Sequence, residues 1–333
     1  MSFDPALLFF VFGAAAGFIR SNLEIPPQIG RFLALYLLMS LGLEAGFAMA
    51  ASGMTSQIAT SLAAALAMAF VVPPIGYVLL QGCISRFDAA ALAAAYGSVS
   101  AVTFVTATQH LEALGMTVGG HMTLAMVLME SPAIIVAVLL ANRMRVANVA
   151  PAGVVTSGGG SAALGSGGPS ISIGKILHES FTDGAHLLLL GAIAVGLLSG
   201  EAGKTVMQPF SGDLFKGMLA FFLLDMGLMV ARNFREARKA SPVLIAYAVA
   251  GPLVHAALAL GIASALALPV ADAALLMVLA ASASYIVVPA VLRYAIPEAN
   301  PSLYFGLSLG VSFPLNILIG IPLYTAMAQS VLG

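Results

Sequence analysis

The sequence predicts an all-α polytopic membrane protein of ten transmembrane helices, arranged as two five-helix repeats inserted with opposite orientation. Three observations carry this. Of 333 residues, 60% are hydrophobic and 8% charged, and mean hydropathy is +1.03. Apolar runs of about 20 residues, the length that crosses a bilayer as helix, follow one another nearly end to end, without the alternation of barrel strands. Segments of the first half also recur in the second at a near-constant spacing.

The apolar runs predict helices over 5–19, 28–51, 56–81, 88–111 and 118–141. The opening "MSFDPALLFF" carries Asp4 and no basic residue before its apolar run, so the first helix reads as retained, not as a cleaved signal. A Gly/Ser-rich segment from Ala147 to Ile173 has too little apolar surface to pack and reads as a flexible linker. Helices follow over 184–199, 210–231, 242–268, 271–295 and 302–330. The expected organisation is a first repeat (1–146), the linker (147–173) and a second repeat (174–333). Cys83 is the single cysteine, which excludes an internal disulfide. A net charge of -1 with no basic cluster gives no sign of nucleic-acid binding.

The two halves align in detail. "LLMSLGLEAG" from Leu37 matches "FLLDMGLMVA" from Phe222, setting Gly42 on Gly227. "FDAAALAAAYGSVSAV" from Phe87 matches "ADAALLMVLAASASYI" from Ala271, setting Asp88 on Asp272, and "MESPAI" from Met129 matches "VSFPLN" from Val311. Because each repeat holds an odd number of spans, the second enters the membrane from the opposite face, the inverted plan common in transporters. Eleven of the 13 basic residues fall on one face and only Lys204 and Lys216 on the other. Basic residues accumulate on cytoplasmic loops, so the linker is expected in the cytoplasm and both termini outside the cell membrane.

The fourth and ninth spans are interrupted at the matched position, by "YGSVSAVTF" and "ASASYIVVP". Small residues in a membrane helix commonly mark a close-packed surface, but recurrence in an inverted repeat brings two polar interruptions together near the midplane. If the spans unwind there, half-helices starting near Ser100 and Ser284 present free N–H groups and positive dipole ends. The candidate anion cradle is Gly97, Ser98, Val99, Ser100, Ala101, Ser282, Ala283 and Ser284. No charged side chain lies between Ala89 and His110 or between Ala273 and Val291. Hydroxyls that donate and accept suit a small oxyanion that still carries an O–H.

Polar residues in apolar surroundings are costly unless paired or functional. Asp225 has no cationic neighbour in sequence, so it is either protonated, in reach of water, or a cation ligand. Glu130 and Ser131 precede Pro132, whose missing N–H frees the Leu128 carbonyl, and a carboxylate beside free carbonyls suits a hard cation. Asn316 follows Pro314 in the repeat, and Thr103 completes the candidate sodium set. For Glu130 and Asn316 the competing role is interhelical hydrogen bonding, and His255 reads as a packing residue. Moving a monoanion into a negative interior costs about 2.3 kcal/mol per 100 mV, which one co-transported sodium ion cancels.

The stretches "FDAAALAAAYGSVSAVTFVTA", "LMESPAIIV" and "ASASYIVVPAVLRYAIPEANPSLYFGLSLGVSFPLNI" resemble the sodium-dependent bicarbonate transporter family known from cyanobacterial carbon concentration. The resemblance implies sodium and bicarbonate symport in the inner membrane, a homotrimer, and a cytoplasmic PII-like regulatory protein. It implies no enzymatic step and no cofactor, with sodium as the coupling ion. The plan is also similar to the crossover fold of bile-acid and sodium/proton carriers, in which helices 4 and 9 are broken and cross. By that likeness spans three to five and eight to ten form a mobile core and the rest a gate. Alternatives are a cation/proton antiporter, another sodium-coupled small-anion symporter, an uncoupled anion channel, and a non-transporting receptor or scaffold.

Overall fold

The computed structural model describes residues 5–53, 55–149 and 184–333. The secondary structure of these residues is helical throughout. The first half holds α1 (Pro5–Phe18), α2 (Pro27–Ser52), α3 (Ser56–Leu80), α4 (Arg86–Gly97), α5 (Ala101–Ala113) and α6 (His121–Val149). The second holds α7 (Gly184–Gln208), a π-turn (Pro209–Asp213), α8 (Phe215–Ala237), α9 (Pro242–Ala265), α10 (Val270–Ala281), α11 (Val287–Ala295) and α12 (Pro301–Leu332). Two π-stretches, Ser308–Ser312 and Asn316–Gly320, interrupt α12. Among the described residues seven stretches are long and apolar enough to cross a membrane, and Pro5–Phe18 and Val270–Ala281 are shorter apolar helices.

Local chemistry sets the ends. Thr55 caps α3 by accepting from the N–H of Ile58, and Ser85 caps α4 by accepting from Asp88 N–H. Pro27, Pro242 and Pro301 open their helices, where a missing N–H costs nothing and the fixed φ helps. Within α7 the chain bends at Gly200, whose φ of 54° lies where side chains with a Cβ are strained.

The helices pair in a matched way across the two halves. The most extensive packing joins α2 to α7 and α1 to α8; α3 packs on α4 and α6, and α9 on α10, which packs on α12. Glycines bring the first two of these helix pairs close. A Cβ on Gly42 would lie 2.8 Å from the Leu189 carbonyl oxygen of α7, and one on Gly227 would lie 2.2 Å from the Phe10 carbonyl oxygen of α1. Backbone contact this close requires glycine and is a usual way to hold membrane helices together.

Ion pairs hold the arginine-bearing end. Arg145 grips Glu298 with two bonds, Nε to Oε1 at 2.8 Å and Nη2 to Oε2 at 2.7 Å, and also donates to the Ala295 carbonyl. The Arg145 guanidinium holds the Glu298 carboxyl below the usual carboxylate range. The α11–α12 connection is thereby fixed to the end of α6.

Three boundaries differ from expectation. α6 continues through Val149, into the first residues assigned to the linker, and the rest of that segment lies outside the described residues. α7 runs to Gln208 rather than 199. The helix after the second interruption begins at Val287, not near Ser284, because the Ser284 N–H is drawn away to the Ala95 carbonyl and the chain bends at Tyr285 and Ile286 before the helix starts.

Candidate functional site

Both expected interruptions are present as non-helical backbone. Ser98 (φ -95°, ψ -176°) and Ser100 (φ -111°, ψ 111°) are extended between α4 and α5, and Ser282 (φ -77°, ψ 158°) is extended after α10. The two breaks bond directly to one another. Ser100 N–H donates to Ser282 Oγ at 2.9 Å, and Ser284 N–H donates to the Ala95 carbonyl at 2.8 Å. Ser282 Oγ also donates to the Leu279 carbonyl, so its single proton is committed to the end of α10. Each break satisfies part of the backbone that the other leaves open.

Ser100 organises the start of α5. Its Oγ accepts from Thr103 N–H at 3.3 Å and from Thr103 Oγ1 at 3.0 Å, and its hydroxyl also bonds to the side chain of Tyr285. Ser284 Oγ accepts from Val288 N–H at 3.3 Å, reaching the first turn of α11 from three residues before it. Among the described residues the N–H groups of Ala101, Val102 and Val287 find no hydrogen-bond partner, as expected for the first turn of a helix.

A cavity of about 490 Å³ meets these two helix starts, with Val99, Ser100, Ala101, Ser284 and Val287 on one wall and Glu130 beside them. The opposite wall is the Arg31–Leu38 face of α2 and the start of α7, and Arg31 is its cation. The structure thus brings together Val99, Ser100, Ala101, Ser284 and Glu130, with Ser282 and Thr103 one hydrogen bond behind. The other expected residues lie elsewhere. Gly97 packs on Pro73, where an added Cβ would come within 2.3 Å of the proline ring. Ser98 is buried with an unpartnered hydroxyl, and Ala283 is buried behind the break. Ser131 is not among the lining residues, and Asp225 lies against Gly30 at the contact of α8 with α2.

Asn316 takes a position that the sequence left open. Its Nδ2 donates to the carbonyl of Ala281, the last residue of α10, at 2.8 Å, and its Oδ1 accepts from Tyr324 at 3.0 Å. One turn earlier, Ser312 Oγ donates to the Ala248 carbonyl at 2.7 Å and therefore accepts from Tyr96, which stands at the end of α4, at 2.6 Å. The segment around Pro314 in α12 so holds the ends of both α4 and α10. Sequence reasoning missed Ser312 and Tyr96 in this role, and their apolar setting was the available signal.

A second missed cluster lies at the other end of the core. His121 Nε2 and Asp272 Oδ2 are 2.8 Å apart, and Ser61 donates to the same oxygen at 3.0 Å; all three are buried. These residues tie α6, α10 and α3. The matched carboxylate, Asp88, accepts instead from the backbone N–H of Asn300 at 2.7 Å.

Long apolar helices around two interlocked breaks and an internal cavity define a polytopic membrane protein with a buried polar centre. The family model of the Na+-dependent bicarbonate transporter superfamily matches residues 5–329, and the chain belongs to that superfamily. It is a membrane transporter by that membership. A search of curated proteins finds no match.

Proposed function

We propose that the protein imports bicarbonate together with sodium by alternating access, through ten spans built as an inverted repeat. The observation that carries this is the cavity in which Ser100 and Ser284 stand together at the starts of α5 and α11. Its volume equals that of roughly 15 liquid waters, so a hydrated anion can enter and exchange its shell for hydroxyls and free N–H groups. The converging dipole ends favour an anion, and Glu130 in the same cavity suits a sodium ion close enough to offset its charge.

Several features support the ten-span plan. The stretch Leu187–Phe234 has 48 residues, about 72 Å of helix and more than twice a hydrocarbon core, so it reads as two spans joined at the Gly200 bend and the π-turn. With the short apolar helices Pro5–Phe18 and Val270–Ala281 the spans number ten. The matched packing of α2 with α7 and α1 with α8, and the paired roles of Gly42 and Gly227, fit the pseudo-symmetry. Orientation by basic residues puts the Arg31 end in the cytoplasm of an inner-membrane protein, with both termini outside.

Alternating access finds support in a second cavity, of about 690 Å³, lined by Glu44, Glu112, Lys204 and Lys216. Leu38 lines the first cavity and Leu41 the second; Val102 lines the first and Thr108 the second. The partition along α5 is six residues, about 9 Å of helix, and is filled by buried Phe104 and Val105. A thin apolar wall between cavities at opposite ends is what a carrier needs in order to expose one site to each side in turn. The family resemblance adds the homotrimer and the cytoplasmic PII-like regulator to the proposal.

Radiolabelled bicarbonate uptake into proteoliposomes is expected to rise steeply with external sodium and to fall to the protein-free level when potassium replaces it. Equal uptake in both ions would end the symport reading. Among the serines, Ser100→Ala removes a ligand-facing hydroxyl and is expected to slow uptake about tenfold, the loss of one hydrogen bond to a charged group. Ser284→Ala and Ser282→Ala act in the same direction, whereas Ser98→Ala, away from the cavity, leaves uptake close to the parent rate. Normal initial rates in the first three variants would remove the cradle.

A further inference from the structure

A groove of about 350 Å³ lies outside the transport cavities, where α8, α9 and α12 meet. Its walls are Ala237, Ile245, Val249, Val311, Pro314 and Leu318 among other apolar residues, and among the described residues Arg238 is its single charged one. Arg238 follows the last residue of α8 and is exposed, and no hydrogen bond or ion pair of its side chain is found among the described residues. The groove runs along α12 from Gly310, packed against Ala237, to Ile319. Nine residues of helix span about 13 Å, close to the depth of one leaflet's hydrocarbon. Leu318 (43%) and Ile319 (56%) at its inner end stay open to the surroundings.

We infer that this groove binds an anionic phospholipid, with the headgroup phosphate on Arg238 and one acyl chain along α12. The shape argues for this occupant: a cation at one end, an apolar trough one leaflet long, and a volume within the range of small-molecule sites. A basic residue at the membrane surface attracts anionic headgroups, and Arg238 supplies that charge at the mouth of the groove. The chain would lie on Pro314, between Ser312 and Asn316, the two residues that hold the ends of α4 and α10. Lipid in the groove therefore braces the segment on which both breaks depend, and its charge class sets how firmly.

Native mass spectrometry of the delipidated protein, titrated with phosphatidylglycerol or phosphatidylcholine, tests the assignment without reference to the transported anion. The wild type is expected to retain phosphatidylglycerol about fivefold more than phosphatidylcholine, the factor that one arginine near the surface supplies at about 1 kcal/mol. Arg238→Gln should bring the two lipids level. Leu318→Trp, which fills the trough and keeps the charge, should lower retention of both. Uptake by the wild type should rise when phosphatidylglycerol is added to phosphatidylcholine vesicles, and uptake by Arg238→Gln should not. Undiminished phosphatidylglycerol retention in both variants would overturn the site. So would a shift of either variant to a smaller oligomer, which would make the groove a contact between copies of the chain.

Discussion

Replacing His121 with leucine is expected to lower the unfolding free energy by about 3 kcal/mol, because it strands a buried carboxylate that keeps only the Ser61 hydroxyl. Asp272 is 3% exposed, so water cannot take the place of the imidazole. The measurement is the denaturant midpoint of the detergent-solubilised protein. The double variant His121→Leu, Asp272→Leu supplies the contrast: with both partners apolar the charge is gone, and most of the stability should return. If the single variant unfolds at the wild-type midpoint, the pair contributes nothing to holding α6 and α10 together. A double variant as weak as the single one would place the effect in packing rather than in the stranded charge.

The largest effect on transport is expected from Asn316→Leu. The change leaves the Ala281 carbonyl and the Tyr324 hydroxyl without their buried partner, each at a cost of about 1–3 kcal/mol. It also frees the end of α10 just where the second break begins. A displacement on the order of 1 Å at a binding centre can cost about 100-fold in rate, and uptake should fall by that order. Asn316→Asp separates bracing from sodium ligation, since a carboxylate can accept from Tyr324 and coordinate sodium but cannot donate to Ala281. If the residue braces the break, Asp is nearly as damaging as Leu and the sodium dependence of the residual uptake is unchanged. Preserved uptake with a lowered sodium requirement would instead make Asn316 a ligand.

Much of this architecture was legible because a membrane penalises polarity. Two serine pairs in otherwise apolar runs could be recognised as polar interruptions, and the bonds from Ser100 to Ser282 and from Ser284 to Ala95 join the two segments. The start of α11 was misplaced by three residues, because the Ser284 N–H is taken by a carbonyl in the other half of the chain and the backbone bends before the helix begins. Arg31 could be counted as a basic residue of one face, but its place on the cavity wall follows from the packing of α2 against the core. Asn316 could be singled out as costly, yet an amide both donates and accepts, and only its neighbours decide which end is used. His121 and Asp272 are separated by 151 positions, and neither was expected to find the other.

Asp88 and Asp272 occupy matched positions and each fastens a broken helix to the neighbourhood of a long one, Asn300 before α12 and His121 at the start of α6. One fastening takes a main-chain amide as its donor and depends on a single side chain, Asp88; the other joins two side chains and fails when either His121 or Asp272 is changed. The two broken helices are thus unequally vulnerable, α4 through one position and α10 through two.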